Sequence, residues 1–382
     1  MPDTHRTSRS QRDGVREVEQ HQPFDPFTRR ALIAVAIGLA ALALVAFVWY
    51  TSHMLLLAFG GILLAVFLRT LSDWLSAKTT LSEGWSLAVV GVALLLLLGL
   101  GGRLIAPRIG EQFTQLTQQL PQAWQQFRET IEQYSWGRQL LEQAQQPDQV
   151  ASGTSGIFAQ VGRVFSGTFD TIANIVIILF IGVYLAANPQ LYTRGIIRLV
   201  PQHKRPRARE VLHVMGYTLR WWLLGRAIAM VAIGMMVTIG LSLLGIPLAL
   251  PLGIIAALLD FVPNIGPIIA ALPAVLLGLT QAPIQALYVV LLYLAIQMVE
   301  GYLLTPLVEQ ETVELPPALT IGAQVLLSVL LGPLGLVFAT PLAAMALVLV
   351  KMLYIEDTLG DTIDVRGEQE AHEQEQAMAE SA

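Results

Sequence analysis

The chain has 382 residues, 54% of them hydrophobic and 13% charged, with a net charge of −5 and a mean hydropathy of +0.59. Soluble domains carry about 25% charged residues, so this balance points to a membrane protein. The absence of cysteine excludes disulfides, thiolate nucleophiles and cysteine metal sites. No Gly-x-x-x-x-Gly-Lys phosphate loop and no His-Glu-x-x-His pattern occurs. No cofactor or metal is expected, and energy for any transport must come from a gradient or a partner.

Residues 1–30 are polar, with Arg6, Arg9, Arg12, Arg16, Arg29 and Arg30, and read as a disordered arm. The apolar run 31–50 is long enough to span, since spanning takes about 20 residues and a signal h-region only about 7–15. We read it as an uncleaved first helix. The run 54–68 follows after Thr51-Ser52-His53, which predicts a helical hairpin. A third run, 85–100, is closed by Gly99, Gly101 and Gly102, which suit close helix packing rather than a phosphate loop. Residues 31–102 are therefore expected to hold three transmembrane helices.

Residues 103–167 differ in kind. Ile109, Phe113, Leu116, Leu120, Trp124, Phe127, Ile131 and Tyr134 recur at helical spacing, with a restart at Pro121 and glutamines on the other face. The pattern predicts an amphipathic extracytoplasmic insert packed on neighbouring helices or on another copy, so a homo-oligomer is expected. Lying in the membrane interface is the alternative, weakened by the lack of a basic face. Residues 146–156 read as a loop. A further span, 168–187, contains Asn174, read as interhelical glue. Residues 188–225 are the most basic, with Arg194, Arg198, Lys204, Arg205, Arg207, Arg209 and Arg220 against Glu210. Juxtamembrane basic residues report orientation, so no nucleic-acid partner is expected. The positive-inside rule puts this segment, the loop at 69–78 and the N-terminal arm in the cytoplasm.

Residues 226–355 read as a transport core, followed by an acidic, disordered cytoplasmic tail at 356–382. The core holds a span at 226–244, a broken pair around Pro263, and a span at 284–304. Pro306, an acidic loop with Glu309, Glu311 and Glu314, and a second broken pair complete it. That second pair, 316–331 and 335–350, meets at Gly332 and Pro333, with Gly335 just beyond. The central stretch is Asp260-Phe261-Val262-Pro263-Asn264-Ile265-Gly266-Pro267, set between apolar runs. Prolines lack helix donors and glycine permits dihedrals that other residues avoid, which predicts two half-helices meeting at a non-helical tip. Such backbone survives at membrane depth only inside protein or along a watery cavity, and broken helices of this kind build transporter sites. Gly253 precedes Gly266 by the interval that separates Gly322 from Gly335, and Pro273 and Pro341 follow at nearly equal distances. An inverted repeat is the expectation. The fold class is all-α and polytopic: about six full transmembrane helices, two re-entrant or broken hairpins and the amphipathic insert.

Asp260 lies near the end of its half-helix, where the macrodipole is already negative, so it needs protonation or a partner. An ionisable group in a membrane segment is a functional candidate, against the blander reading of a structural ion pair with Arg226. Tyr293, Gln297 and Glu300 share one helical face. That face could line the cavity, Gln297 holding a polar solute and Glu300 exchanging a proton, or Glu300 could be merely solvated. Asn264 and the free amides after Gly266 sit at a half-helix N-terminus that favours electron-rich groups, with Pro267 suited to the first turn. The blander reading makes Asn264 a helix cap.

The segment Asp260-Phe261-Val262-Pro263-x-x-Gly266-Pro267 resembles the autoinducer-2 exporter family of bacterial permeases. So do Gln297-x-x-Glu300 followed by Pro306, the Leu315-Pro316 turn and the stretch from Gly332 to Pro341. The likeness covers the C-terminal half in order and spacing, and the rest in layout only. Gly301 and Gln310 depart from it, where members carry asparagine and glycine. The resemblance implies a multi-pass protein of the bacterial inner membrane with both termini cytoplasmic. It implies no enzyme but a secondary transporter in the lipid bilayer, exporting a small polar solute such as a signalling molecule. A monovalent cation/proton antiporter is the alternative, and a non-transporting scaffold is the rival from another class, against which Asp260 and the broken helices argue.

Overall fold

In lipid every backbone donor and acceptor has to be satisfied within the protein, and long apolar runs therefore fold as helices. The computed structural model describes residues 26–133, 169–304, 306 and 315–361, and no strand occurs among them. The expected N-terminal arm through residue 25, the insert from 134 to 168 with Tyr134 and its loop, the acidic loop of Glu309, Glu311 and Glu314 with Gln310, and the tail beyond 361 lie outside the described residues.

Helix α1 is Pro26–Lys78 and α2 is Glu83–Glu132. Then follow α3 (Phe169–Ala187), α4 (Pro189–Leu199), a 3-10 turn at Gln202–Lys204, and α5 (Arg205–Leu243). Next are α6 (Ala249–Leu259), α7 (Ile265–Gln281) and α8 (Pro283–Val299), which passes into a π-helical turn at Glu300–Leu304. Last is α9 (Pro317–Leu349), broken at Gly332 and continued by a π-helical segment at Val350–Leu359. The chain divides into two compact units, Met1–Thr51 and Ser52–Ala382. In the first, the described residues from Pro26 onward are helical.

Two expectations are corrected here. Thr51-Ser52-His53 is helical rather than a link. Three polar residues do not break a helix on their own, because they can bond to the preceding turn or to a neighbouring helix. His53 does the latter, lying 3.4 Å from the Asn174 amide oxygen on α3. Likewise α2 runs through Pro121 without the expected restart. Where six spans are expected, four helical stretches among the described residues are long and apolar enough to cross a membrane: Tyr50–Lys78, Gln202–Leu243, Pro283–Leu304 and Pro317–Leu359. The pair formed by α3 and α4, bent by 86°, makes a fifth if it counts as one span.

Both broken pairs fold back on themselves. Helices α6 and α7 have 11 and 17 residues, roughly 16 and 25 Å at 1.5 Å per residue, and neither alone crosses a core about 30 Å thick. Leu252, Ile255 and Ala256 of α6 pack on Ala270, Ala274 and Leu277 of α7, with Val237 and Leu241 of α5 and Val289 and Ile296 of α8 in the same buried cluster. In α9, Gln324 and Thr340 would lie some 24 Å apart along a straight helix, yet their side chains meet at 3.4 Å. Gly332, at φ 71° and ψ −157°, makes the turn. A second cluster joins Leu56, Phe59 and Leu63 of α1, Leu219, Trp222 and Leu223 of α5, and Phe338 of α9.

The two hairpins share one device. A Cβ on Gly266 would collide with the Leu259 carbonyl, and one on Gly335 with the Leu327 carbonyl, so in each the second arm starts against the end of the first. The parallel stops there. Gly253 is pressed against Thr238 and the Gly234 carbonyl of α5, whereas a Cβ on Gly322 meets nothing within 4 Å. Beyond the membrane-depth clusters, Arg207 at the start of α5 holds the C-terminal segment. Its guanidinium lies 2.8 Å from Glu210, 2.7 Å from Glu356 and 3.0 Å from Asp357.

The glycine contacts give a direct check. Gly253→Ala should lower the thermal midpoint in detergent by several degrees, because overpacking costs about 1–3 kcal/mol. Gly322→Ala should leave it unchanged. Equal effects from the two would contradict the packing described.

Candidate functional site

Helix α5 runs through both buried clusters: Trp222 and Leu223 belong to one, Ile233 and Val237 to the other. Arg226 lies between them, on the seam. Helix α6 ends at Leu259 with Asp260 at its C-cap, and the regular bonding of α8 gives way at Glu300 to the π-helical turn. Both carboxylates thus stand at helix C-termini, where the macrodipole repels them. π-Helical turns recur at functional sites.

The structure brings these three side chains together. Arg226 Nη2 is 3.1 Å from Asp260 Oδ1, and Arg226 Nη1 is 3.3 Å from Glu300 Oε1. Asp260 has no exposed surface (0%), and the side chains of Arg226 and Glu300 are 11% and 9% exposed. Gln297 donates from Nε2 to Glu300 Oε2 at 2.8 Å, fixing that carboxylate from the other side. The Phe261 ring next to Asp260 stands edge-on to Trp222, with centroids 5.6 Å apart, and makes an apolar wall. Asp260 Oδ2 and Arg226 Nε have no hydrogen-bond partner among the described residues. One guanidinium facing two carboxylates leaves a formal charge of −1, buried and incompletely hydrogen-bonded. Such a group attracts a proton, a small cation or a donor-rich solute.

The tip beyond Asp260 is a tight turn. Val262 N–H donates to Leu259 O at 3.0 Å, Ile265 N–H to Pro263 O at 2.8 Å, and Gly266 N–H to Val262 O at 2.9 Å. The bond from Ile265 to Pro263 closes a three-residue γ-turn that forces Asn264 to φ 66°, ψ −48°, a conformation that L residues avoid. Strain of this kind persists only where the surroundings over-determine it, and it clusters at functional sites.

Residues 37–355 match the profile described as AI-2E family transporter. The chain belongs to the AI-2E transporter family. Three curated relatives named "Putative transport protein" show the range of likeness. YueF of Bacillus subtilis is 27% identical over 183 residues, 47% of this chain and 50% of that protein. MT0215 of Mycobacterium tuberculosis is 29% identical over 218 residues, 53% and 58% of the two chains. The sll0060 protein of Synechocystis is 26% identical over 313 residues, 76% and 83% of the two. The chain spans about half the length of the first curated relatives it matches. Family and apolar helices together mark a multi-pass membrane protein, and the relatives' names point to transport rather than catalysis.

In this member of the AI-2E transporter family the remaining expected residues are scattered around the charged cluster. Asn264 is exposed and holds the N-cap position of α7 without a side-chain cap bond, so the blander capping role is not what it performs. Pro267 is half-buried in the first turn of α7. Tyr293 donates to the Ala270 carbonyl at 3.2 Å, tying α8 to α7. Glu300 is not solvated. Pro306 is exposed and the structure does not bring it to the cluster; neither are Gly332, Pro333 and Gly335, which turn the second hairpin. Gly301 faces open space, so packing does not demand glycine there.

Sequence reasoning missed Gln324. It is fully buried and donates from Nε2 to the Pro263 carbonyl at 2.9 Å, reaching the tip of the other hairpin. The signal was available: Thr320, Gln324 and Ser328 form a polar stripe at spacing four in an otherwise apolar arm.

Arg226→Met strands two buried carboxylates and should cost about 3–5 kcal/mol of stability. Adding Asp260→Asn and Glu300→Gln should recover more than half of that loss, measured by unfolding in detergent. A triple variant less stable than Arg226→Met alone would show that the three charges are not one unit.

Proposed function

We propose that this protein is a gradient-driven transporter that moves a small polar solute outward by alternating access around its two broken hairpins. The observation that carries the reading is the buried Arg226–Asp260–Glu300 group at the break of the first hairpin. A charge in a membrane segment costs about 2.5–3.5 kcal/mol on insertion scales, and three in one place need a reason beyond folding. Asp260 exchanges a proton or small cation, and Arg226 moves between the carboxylates as the charge on them changes. Gln297 holds Glu300 in reach and offers its amide to the solute. The hairpin tip carries Asp260, so closing and opening of the tip is coupled to occupancy of the carboxylate. Pro263, Asn264, Gly266 and Pro267 shape that tip, and Gly332, Pro333 and Gly335 shape the turn of the second hairpin.

A second reading rests on the same net charge of −1: monovalent cations exchanged for protons at the two carboxylates, with no organic solute. In both readings the basic segment 188–225 faces the cytoplasm of a bacterial inner membrane, by the positive-inside rule. Copies associate in the bilayer through the amphipathic stretch after residue 103.

Proton flux into proteoliposomes separates these readings. With small polar solutes or monovalent cations added outside in turn, the wild type should give flux with one class of addition. Asp260→Asn should abolish it, a fall of at least 100-fold. Flux that is unchanged in Asp260→Asn would remove the carboxylate from the mechanism.

A further inference from the structure

The two hairpins meet at one side chain. The Pro263 carbonyl accepts twice, from Ile265 N–H at 2.8 Å and from Gln324 Nε2 at 2.9 Å. The same Nε2 lies 3.4 Å from Thr340 Oγ1, on the other arm of the second hairpin. Gln324 is 0% exposed, so water does not compete for these donors, and its Oε1 has no partner among the described residues. Its neighbours on the polar stripe stay at home. Thr320 donates to Pro316 O and Ser328 to Val325 O, both within their own helix. Gln324 alone of the three reaches across.

We propose that Gln324 is the positioning residue of the site: it holds the tip of the first hairpin, and through it Asp260, against both arms of the second. The tip transmits this hold because hydrogen bonds tie Asp260 N–H to Ala256 O at 2.9 Å, Phe261 N–H to Leu258 O at 3.3 Å, Val262 N–H to Leu259 O at 3.0 Å and Gly266 N–H to Val262 O at 2.9 Å. The strained Asn264 backbone (φ 66°) is what such a hold has to restrain: with the Pro263 carbonyl released, the γ-turn is free to relax. One amide thus ties the tip at Pro263 to the first arm of α9 and, through Thr340, to the second. This inference stands on geometry and does not need the transport reading to be right.

The chain has no cysteine, so a single introduced thiol reports one place. Val262 lies in the tip and is 8% exposed; Val237, in the other buried cluster, is 0% exposed. Cysteine is a small buried hydrophobe and fits either site. Reaction of Val262→Cys with N-ethylmaleimide is measured in the full chain in detergent, with Gln324 or with Gln324→Met, which keeps length and apolar volume but removes the donor. Loss of the bond should speed labelling of residue 262 roughly 10-fold, equivalent to about 1.4 kcal/mol of opening, while Val237→Cys stays within about 2-fold. No change at residue 262 would overturn the proposal. Equal acceleration at both thiols would also overturn it, by making Gln324 a general packing residue rather than a hold on the tip.

Discussion

Hydrocarbon offers no water to a backbone group that leaves its helix, so each break in this fold has to close on protein partners. That constraint decides what surrounds the tip at Pro263. The chain turns there within a few residues, and the groups that lose α-helical partners find others: Ile265 N–H on Pro263 O, Gly266 N–H on Val262 O, and the buried Gln324 amide from the other hairpin. The turn forces Asn264 into positive φ and demands glycine at 266, where any side chain would strike the Leu259 carbonyl. A continuous helix would need none of this. The break is therefore maintained by several independent contacts, as expected where geometry rather than stability sets the sequence.

The charges follow from the same break. Ending α6 at Leu259 leaves a negative helix end, and Asp260 adds a full charge at that point. Glu300 repeats the arrangement where α8 turns into the π-helical segment. Arg226 answers both from α5, at the seam between the two buried clusters. A buried pair balanced by one cation could be structural. Two carboxylates sharing one guanidinium, with a carboxylate oxygen left without a donor, form a group whose protonation or occupancy can alternate.

Much of this was legible in the sequence where local chemistry decides. Both broken hairpins follow from Pro, Gly and Asp set in apolar runs, and Arg226 was already a candidate partner for Asp260. What failed to show was decided by packing at a distance. Thr51-Ser52-His53 reads as a link, yet it stays helical, with His53 finding Asn174 on another helix. For Glu300 near a helix end the sequence leaves a cavity-lining and a solvated glutamate open, and the structure keeps it inside. Gln324 does not stand out in the sequence, because nothing local says that its amide will reach a carbonyl 61 residues away. The repeat relation is partial for the same reason. Gly266 and Gly335 do equivalent work within their own hairpins, while Gly253 answers to α5 and Gly322 to nothing.

The central claim is that the Arg226–Asp260–Glu300 group changes its protonation or ion occupancy as the protein works. Infrared difference spectroscopy on the protein in lipid, stepping external pH with isotope-labelled aspartate and glutamate, tests it most directly. The account predicts a buried protonated-carboxyl band that rises and falls with the step and is lost when both Asp260→Asn and Glu300→Gln are present. Carboxylates that remain ionised through every step, with no band that these substitutions remove, would contradict it and leave the cluster a fixed ion pair.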